Sequence, residues 1–231
     1  MSVQQQITTY WDDRAPAYDA AQHRPGRDAE ADLWADVWSS ALPADPVDVL
    51  DLGTGSGHAA IAVSRLGHRV TGLDLSTEMV RLARRRAGGM ANPPRFVVGD
   101  AAYPDLPGTF DVLVSRYLLW TLREPEAAVR RWQRLLRPGG RLAMVDSAWF
   151  PGGLPGAQEP FGAAYDDRVR RVLPLAEAGS IEPTADLLRD SGLVDVEVTP
   201  LHALLELDRE TGAAPGHEPR LQHLLTAWLP G

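Results

Sequence analysis

Along the centre of the chain, short β-branched or leucine-rich runs alternate with stretches whose apolar positions recur every three or four residues. The first kind predicts strands and the second amphipathic helices, the pattern of a parallel sheet covered on both sides by helices. Strands are expected near Val47–Leu52, Arg69–Asp74, Arg95–Val98, Phe110–Ser115 and Arg141–Asp146, with helices between them. Ahead of this core, Gln4–Tyr18 and Asp28–Leu42 read as two helices, the second following a Pro-Gly break. After Asp146 the run "SAWFPGGLPGAQEP" interrupts the alternation and predicts an insertion, a candidate lid, with a helix from about Phe161 to Val172. "EPTADLLRDSGL" restores a helix and "VDVEVTPL" a strand, and "RLQHLLTAWL" reads as a last strand joined through the turn-rich "DRETGAAPGHEP". The length suits a single domain over 1–231, with a helical cap over 1–44, a core over 45–147, the insertion over 148–180 and the rest of the sheet over 181–231.

The turn after the first strand, "DLGTGSG", carries glycines at 53, 55 and 57. Gly-rich turns between a strand and a helix commonly serve a nucleoside triphosphate, a dinucleotide, or the methionyl end of S-adenosylmethionine. A triphosphate loop needs a lysine, and this chain has none. The dinucleotide pattern would put its third glycine at position 58, which is His58, so the glycine arrives one residue early. Asp51 would repel a pyrophosphate docked at Gly53, whereas the ammonium of an amino-acid tail can meet it, directly or through water. The tail's carboxylate can then approach the N–H groups of Gly53 and Gly55 and the positive end of the next helix. Asp74 ends the second strand, where a carboxylate can accept from both ribose hydroxyls, with Leu75 beside it. Asp100, just past the third strand, can accept from an adenine amino group next to the backbone of Ala101, and Met79 can pack on the adenine face. The plain alternatives are helix caps for the two aspartates and helix-to-sheet packing for Met79.

Together "VLDLGTGSG", "VTGLDLSTEM", "FVVGDA", "FDVLVSRYLLWTL" and "LLRPGGRLAMVD" occur in consecutive order from Asp48 to Asp146. In this the chain resembles the class I S-adenosylmethionine-dependent methyltransferases, in the branch of small bacterial enzymes acting on natural products and other metabolites. The opening "YWDDRAPAYD" is similar to that branch's N-terminal cap. The resemblance implies a Rossmann-like α/β fold with a seven-stranded sheet ordered 3-2-1-4-5-7-6, the last strand antiparallel. It also implies S-adenosyl-L-methionine as cofactor, held by Gly53, Gly55, Asp74, Asp100 and Ala101, with Tyr10 and Tyr18 covering the methionyl end.

Composition removes other chemistries. Without cysteine there is no thiolate nucleophile, disulfide or cysteine-held metal, and without lysine no Schiff base. A formal charge of −8 disfavours a nucleic-acid partner. The arginine-rich runs Arg81–Arg86 and Arg130–Arg141 fall at helical spacing and read as solvated helix faces, the second with Val129, Trp132 and Leu136 as its buried stripe and Arg134 and Arg137 near the helix end. No apolar run is long enough for a membrane span, and the N-terminal residues lack the features of a signal peptide, so a cytoplasmic location is expected. Monomer and homodimer both stay open.

No metal site is expected: His217 and His223 stand six apart with Pro219 between them. "ANPPRF" contains the Asn-Pro-Pro of amino-methylating enzymes, but it precedes the third strand rather than following the fourth, and Arg95 replaces the aromatic residue. The place after the fourth strand holds "SRYLLW", so Ser115, Arg116, Tyr117 and Trp120 should face the transferable methyl, with Arg116 binding the cofactor carboxylate or an acidic substrate. Transfer from a sulfonium requires positioning above all. For a small-molecule acceptor bearing a hydroxyl, His23 is the first candidate base, ahead of Asp146, Tyr165 and His217. Trp149, Phe150, Phe161 and Tyr165 are candidates for the acceptor pocket or for the seam of the insertion. A fold of this kind that binds the cofactor without consuming it, for a cyclisation or isomerisation, and a protein or RNA modifier are the competing expectations.

Overall fold

The computed structural model describes residues 2–22, 28–153, 164–213 and 218–231. Seven strands form one sheet in the order β3-β2-β1-β4-β5-β7-β6. They are β1 (Asp48–Leu52), β2 (Arg69–Asp74), β3 (Arg95–Val98), β4 (Phe110–Arg116), β5 (Leu136–Asp146), β6 (Val194–Pro200) and β7 (His223–Trp228). β3, β2, β1, β4 and β5 run parallel, and β7 lies antiparallel between β5 and β6, as the resemblance implies.

Side chains alternate across the sheet with a period of two, and both faces are buried. Leu50, Leu52, Leu113, Leu142 and Met144 pack into one hydrophobic layer, while Val49, Val112, Val114, Ala143 and Val145 pack into the other. The first layer is completed by α5 (Pro125–Gln133) through Val129 and Trp132, and by the helix Glu182–Asp190 through Leu187 and Leu188. The second is completed by α2 (Asp28–Ala41), whose Trp34 and Trp38 are stacked, and by α3 (His58–Arg65) and α4 (Thr77–Arg86). The cap helix α1 (Val3–Gln22) crosses to α4, where Ala15 meets Met79 and Leu82 and buried Asp19 pairs with Arg86. No helix among the described residues is long and apolar enough to cross a membrane.

Several expectations are corrected. The stretch near residue 136 leaves the helix early: α5 ends at Gln133, and Leu136 and Arg137 begin β5, which is 11 residues long. Arg137 accordingly bridges Asp48 and Asp111 at 2.9 and 2.5 Å at the start of the sheet instead of ending a helix. Arg86 is no solvated side chain either, because it ties α4 to the cap. Part of the turn-rich link before β7 is a helix, His202–Thr211, since Leu204, Leu205 and Asp208 bury one face at helical spacing. Within the described part of the expected helix, Ala164 is helical and Asp167–Arg170 forms a separate single turn, capped by the Asp166 carboxylate. Phe161 lies outside the described residues. Asn92 of the rejected Asn-Pro-Pro run serves the fold, donating to the carbonyls of Ser64 and His68 at 3.2 and 2.9 Å.

Candidate functional site

Parallel strands deliver their carboxyl ends to one edge of the sheet, and in open α/β sheets ligands gather there. The turn after β1 requires glycine: Gly53, Gly55 and Gly57 have φ of 65, 54 and 89°, the left-handed region that side chains disfavour. Beneath this turn lies Asp51, 1% exposed. Its Oδ2 accepts from the Thr54 hydroxyl at 2.6 Å and the Ala60 N–H at 3.0 Å, which pins the turn to the first turn of α3. Its Oδ1 is buried with no hydrogen-bond partner. Burial pushes the Asp51 carboxyl up to about 7, against the pull of those two donors.

Asp74 reaches across from the end of β2. One of its oxygens accepts from the Gly55 N–H at 2.7 Å and the other from the Ser76 N–H at 2.9 Å. Burial raises this carboxyl to about 6, with the Ser76 and Gly55 amides opposing the shift. Ser76 caps α4 by accepting from the Met79 N–H at 3.0 Å and donates its hydroxyl to Asp12 of the cap, so α1 is fixed to the same corner. Asp100 accepts from the Ala102 N–H at 2.8 Å, and the Ala101 carbonyl accepts from the indole of Trp132 at 2.6 Å.

These residues surround a cleft of about 890 Å³, including its open mouth. Gly53, Gly55, Asp74, Leu75, Met79, Asp100, Ala101, Tyr18 and Arg116 all line it, which gathers most of the expected cofactor residues in one place. Three do not reach it. Asp51 lies under the turn rather than in the wall; Ser115 is fully buried; and Tyr10 packs edge-on against Trp11 and Tyr165. In place of Tyr10, the cap helix faces the cleft with Gln4, Ile7 and Trp11 alongside Tyr18, of which Trp11 was not among the expected residues. Seven residues separate Trp11 from Tyr18, almost two full helical turns, whereas Tyr10 is rotated about 100° away. That spacing was the available signal. Tyr103 is also in the wall, its hydroxyl donating to Glu124 at 2.5 Å.

A second chamber of about 820 Å³, again including its opening, adjoins the first. It is walled by Trp11, Tyr18, Trp34, Tyr117, Trp120 and Trp149, with Glu30, Arg116, Asp208, Glu218, Arg220 and Gln222 among them. Trp11, Tyr18, Arg116 and Tyr117 line both cavities and form their common wall. Arg116 is 8% exposed, its guanidinium 5.0 Å from the Trp34 ring centre and 4.4 Å from that of Tyr117. It donates to Gln22 at 2.7 Å and, at 3.5 Å, to the Tyr18 hydroxyl. Tyr117 has φ of 61°, a strained value for an aromatic residue, and its hydroxyl donates to Gln222, which in turn donates to Asp208 at 3.3 Å.

The candidate bases fare differently from the cofactor residues. His23 and His217 lie outside the described residues. Tyr165 is 1% exposed, lines neither cavity and accepts from the Trp11 indole at 3.1 Å, and burial drives its hydroxyl far above the ordinary tyrosine value. Asp146 is equally sealed, accepting from the Ser147 N–H and the Trp149 indole at 2.9 and 2.6 Å, with burial raising it to about 7. Of the expected acceptor-pocket aromatics, Trp149 lines the second chamber, while Phe150 and Tyr165 pack against Trp120 behind it.

The profile of a family described as a methyltransferase domain matches residues 50–144, the stretch that builds the turn, the ends of β2 to β4 and β5. The matched domain, the curated relatives and the solved structures together support a class I S-adenosylmethionine-dependent methyltransferase. Its cofactor is S-adenosylmethionine. Among curated methyltransferases, it is 34% identical over 137 residues to the demethylmenaquinone methyltransferase of Thermus thermophilus, 58% of this chain and 60% of that one. The chain thus spans less than two thirds of that relative. Two solved structures share the fold: a phosphoethanolamine N-methyltransferase of Haemonchus contortus (TM-score 0.69, 21% identical, covering 100% of this chain and 61% of that chain) and the [4+2]-cyclase SpnF (TM-score 0.68, 22% identical, 98% and 96%). The first cleft fits the methyltransferase cofactor on its own chemistry. It offers backbone bared by Gly53 and Gly55, a carboxylate at the end of β2, an apolar floor at Leu75 and Met79, and an unpartnered carboxylate oxygen beneath the turn.

Proposed function

We propose that the protein is a cytoplasmic methyltransferase that binds S-adenosylmethionine in the first cleft and a small-molecule acceptor in the aromatic chamber, with oxygen or nitrogen receiving the methyl. The observation that carries this reading is the common wall. Two cavities of small-molecule size meet at Trp11, Tyr18, Arg116 and Tyr117, so a molecule in one can present an atom to a molecule in the other. When bound, the cofactor supplies a methyl group made electrophilic by its sulfonium. Gly53 and Gly55 would give it backbone donors, Asp74 would accept from the ribose hydroxyls, Asp100 would face the adenine amino group, and Met79 and Leu75 would pack on its rings. Trp11 and Tyr18 close the cleft from the cap side and keep water from the junction. The chamber's aromatic walls suit a flat, largely apolar acceptor, in keeping with the quinone-related substrate in the Thermus relative's name.

The test is incubation of the purified protein with methyl-labelled cofactor and a panel of small phenols, hydroxyquinones and amines. Labelled product formed in step with S-adenosylhomocysteine supports the reading. A second reading has the full-length likeness to a [4+2]-cyclase behind it, which shows that this fold also serves a cyclase. Under that reading the product keeps the mass of its substrate and no S-adenosylhomocysteine forms. Label transferred to protein or RNA instead of the panel would favour a macromolecular substrate.

A further inference from the structure

We infer that the acceptor carries an acidic hydroxyl, as a phenol, enol or carboxylic acid, and that it binds as its oxygen anion against Arg116; this rests on the methyl-transfer reading above. Among the described residues, five charged ones line the chamber: Glu30, Arg116, Asp208, Glu218 and Arg220. Only Arg116 among them also lines the cofactor cleft, so it alone stands where the reacting atom must stand. It is nine-tenths buried, and among the described residues no carboxylate comes within ion-pair distance of it. Its hydrogen-bond and ring partners there, the Gln22 amide, the Tyr18 hydroxyl and the rings of Trp34 and Tyr117, are neutral, and Glu30 acts on its charge only from beyond ion-pair distance. A buried cation held this way stands to gain from an anion brought by the ligand.

The surroundings assign that anion to the acceptor rather than to the cofactor's carboxylate. Gln22 and Trp34, which hold the guanidinium, line the chamber and not the cleft. The chamber's own carboxylates are engaged elsewhere: Glu30 accepts from the Trp34 indole at 3.2 Å, Asp208 from Gln222 at 3.3 Å, and Glu218 lies 3.8 Å from Arg220. The four residues of the common wall include neither a carboxylate nor an imidazole. An acceptor that is already ionised needs no base at that wall. Its proton leaves to solvent on binding; in the transfer an oxygen lone pair forms the bond to the methyl carbon, the carbon–sulfur bond breaks, and its electron pair stays on sulfur. Anion and sulfonium become two neutral products.

The experiment uses 4-nitrophenol, whose ionised form is coloured, and its amine counterpart 4-nitroaniline, with the protein saturated with S-adenosylhomocysteine. Absorbance titration of wild type should show bound 4-nitrophenol ionising about one pH unit or more below the free compound, because a guanidinium neighbour favours the anion. Arg116→Gln should abolish the shift and weaken phenolate binding roughly tenfold or more, Arg116→Lys should restore part of both, and 4-nitroaniline should bind all three proteins alike. Cofactor affinity by calorimetry should change by less than about threefold in Arg116→Gln, since an anion site for the acceptor leaves the cofactor's carboxylate untouched. The inference is overturned if wild type fails to bind the phenolate, if binding and shift survive Arg116→Gln, or if that variant loses the cofactor instead. These readouts involve no methyl transfer. A protein that binds the phenolate through Arg116 yet never consumes labelled cofactor would defeat the methyltransferase reading alone, and efficient methylation of amines with no use of phenols would defeat only this inference.

Discussion

The two cavities share a wall but are built in opposite ways. The cofactor cleft is centred on three strand ends that follow one another in the chain, at Gly53–Gly55, Asp74 and Asp100, where backbone geometry sets its shape, with Tyr18, Tyr103 and Arg116 added around them. The aromatic chamber draws on the cap, α2, the end of β4, the segment after β5 and the approach to β7, residues from Trp11 to Gln222. Its shape depends on side chains meeting across long sequence distances. A cleft of the first kind tolerates change in its surroundings and little in itself, while a chamber of the second kind can be altered one residue at a time. If this contrast is right, substitutions in the turn should damage folding or cofactor binding, and substitutions in the chamber should change acceptor handling while the rest stays intact.

The largest effect is expected beneath the turn. Asp51 in the folded protein holds its proton up to about pH 7, because burial disfavours the charge, whereas an ordinary aspartate releases it near 4. Between those values the folded state binds one proton more than the unfolded chain, so unfolding free energy falls as pH rises; below about 4 and above about 7 this contribution is flat. Asp51→Asn keeps an oxygen for Thr54 and Ala60 but cannot ionise. Relative to wild type, its stability should rise by about 3 to 4 kcal/mol between pH 4 and pH 7, an order-of-magnitude figure at about 1.4 kcal/mol per pH unit. Urea unfolding at several pH values measures this, and parallel curves for the two proteins would mean that the carboxylate is ionised throughout.

Next in size, the glycines of the turn should separate folding from binding. A Cβ on Gly57 would sit 3.1 Å from Ala83 and Phe96 at a φ of 89°, so Gly57→Ala should cost about 2 to 4 kcal/mol through left-handed strain and overpacking. A Cβ on Gly55 meets only the Tyr18 ring, at 3.8 Å, so Gly55→Ala should cost about 1 to 2 kcal/mol of stability from strain alone. Both glycine and ring line the cleft, and the added methyl occupies cofactor space. Cofactor affinity should therefore fall at least roughly tenfold in Gly55→Ala, an effect out of proportion to its stability. Equal stability losses for the two variants would refute the division of labour.

The same contrast explains what the sequence disclosed. The strands, their order through the family resemblance, and the positions of Gly53, Asp74 and Asp100 were legible because each is a local requirement: a positive φ, an apolar run, a carboxylate at a strand end. Trp11, Tyr103 and the joining of Trp34 to Arg116 were not, since nothing local says which face of α1 meets the sheet or that α2 packs beside the end of β4. Tyr165 was a reasonable candidate base by residue type and was misplaced for the same reason. Only the packing of Tyr10, Trp11 and Trp120 around it shows that its hydroxyl serves the Trp11 indole. The helix His202–Thr211 was missed because the polar link after it masked a short apolar stripe.

Asp74→Ala should leave the fold in place and weaken cofactor binding by about 2 to 3 kcal/mol, roughly 30- to 150-fold. It removes a carboxylate and leaves the Gly55 and Ser76 N–H groups without their acceptor. Calorimetry with S-adenosylmethionine is the direct measurement, with the unfolding midpoint as the control. Unchanged affinity would show that Asp74 only braces the turn, the role its two backbone contacts alone would give it.

The smallest effect, and the sharpest division between the cavities, is expected at Tyr117. Its ring lines both, but its hydroxyl points away along a chain through Gln222 to Asp208, two residues that line only the chamber. Tyr117→Phe keeps the ring under the Arg116 guanidinium and deprives Gln222, 6% exposed, of one donor. A lost buried hydrogen bond of this kind costs about 1 kcal/mol, which in an acceptor pocket corresponds to roughly fivefold in KM. Cofactor affinity should stay within about twofold, because the hydrogen bond that hydroxyl donates goes to Gln222, which lies outside the cleft. Steady-state kinetics that separate KM for the acceptor from KM for the cofactor read both numbers. A larger change on the cofactor side than on the acceptor side would mean that the common wall transmits strain from one cavity to the other, and that the two cannot be tuned independently.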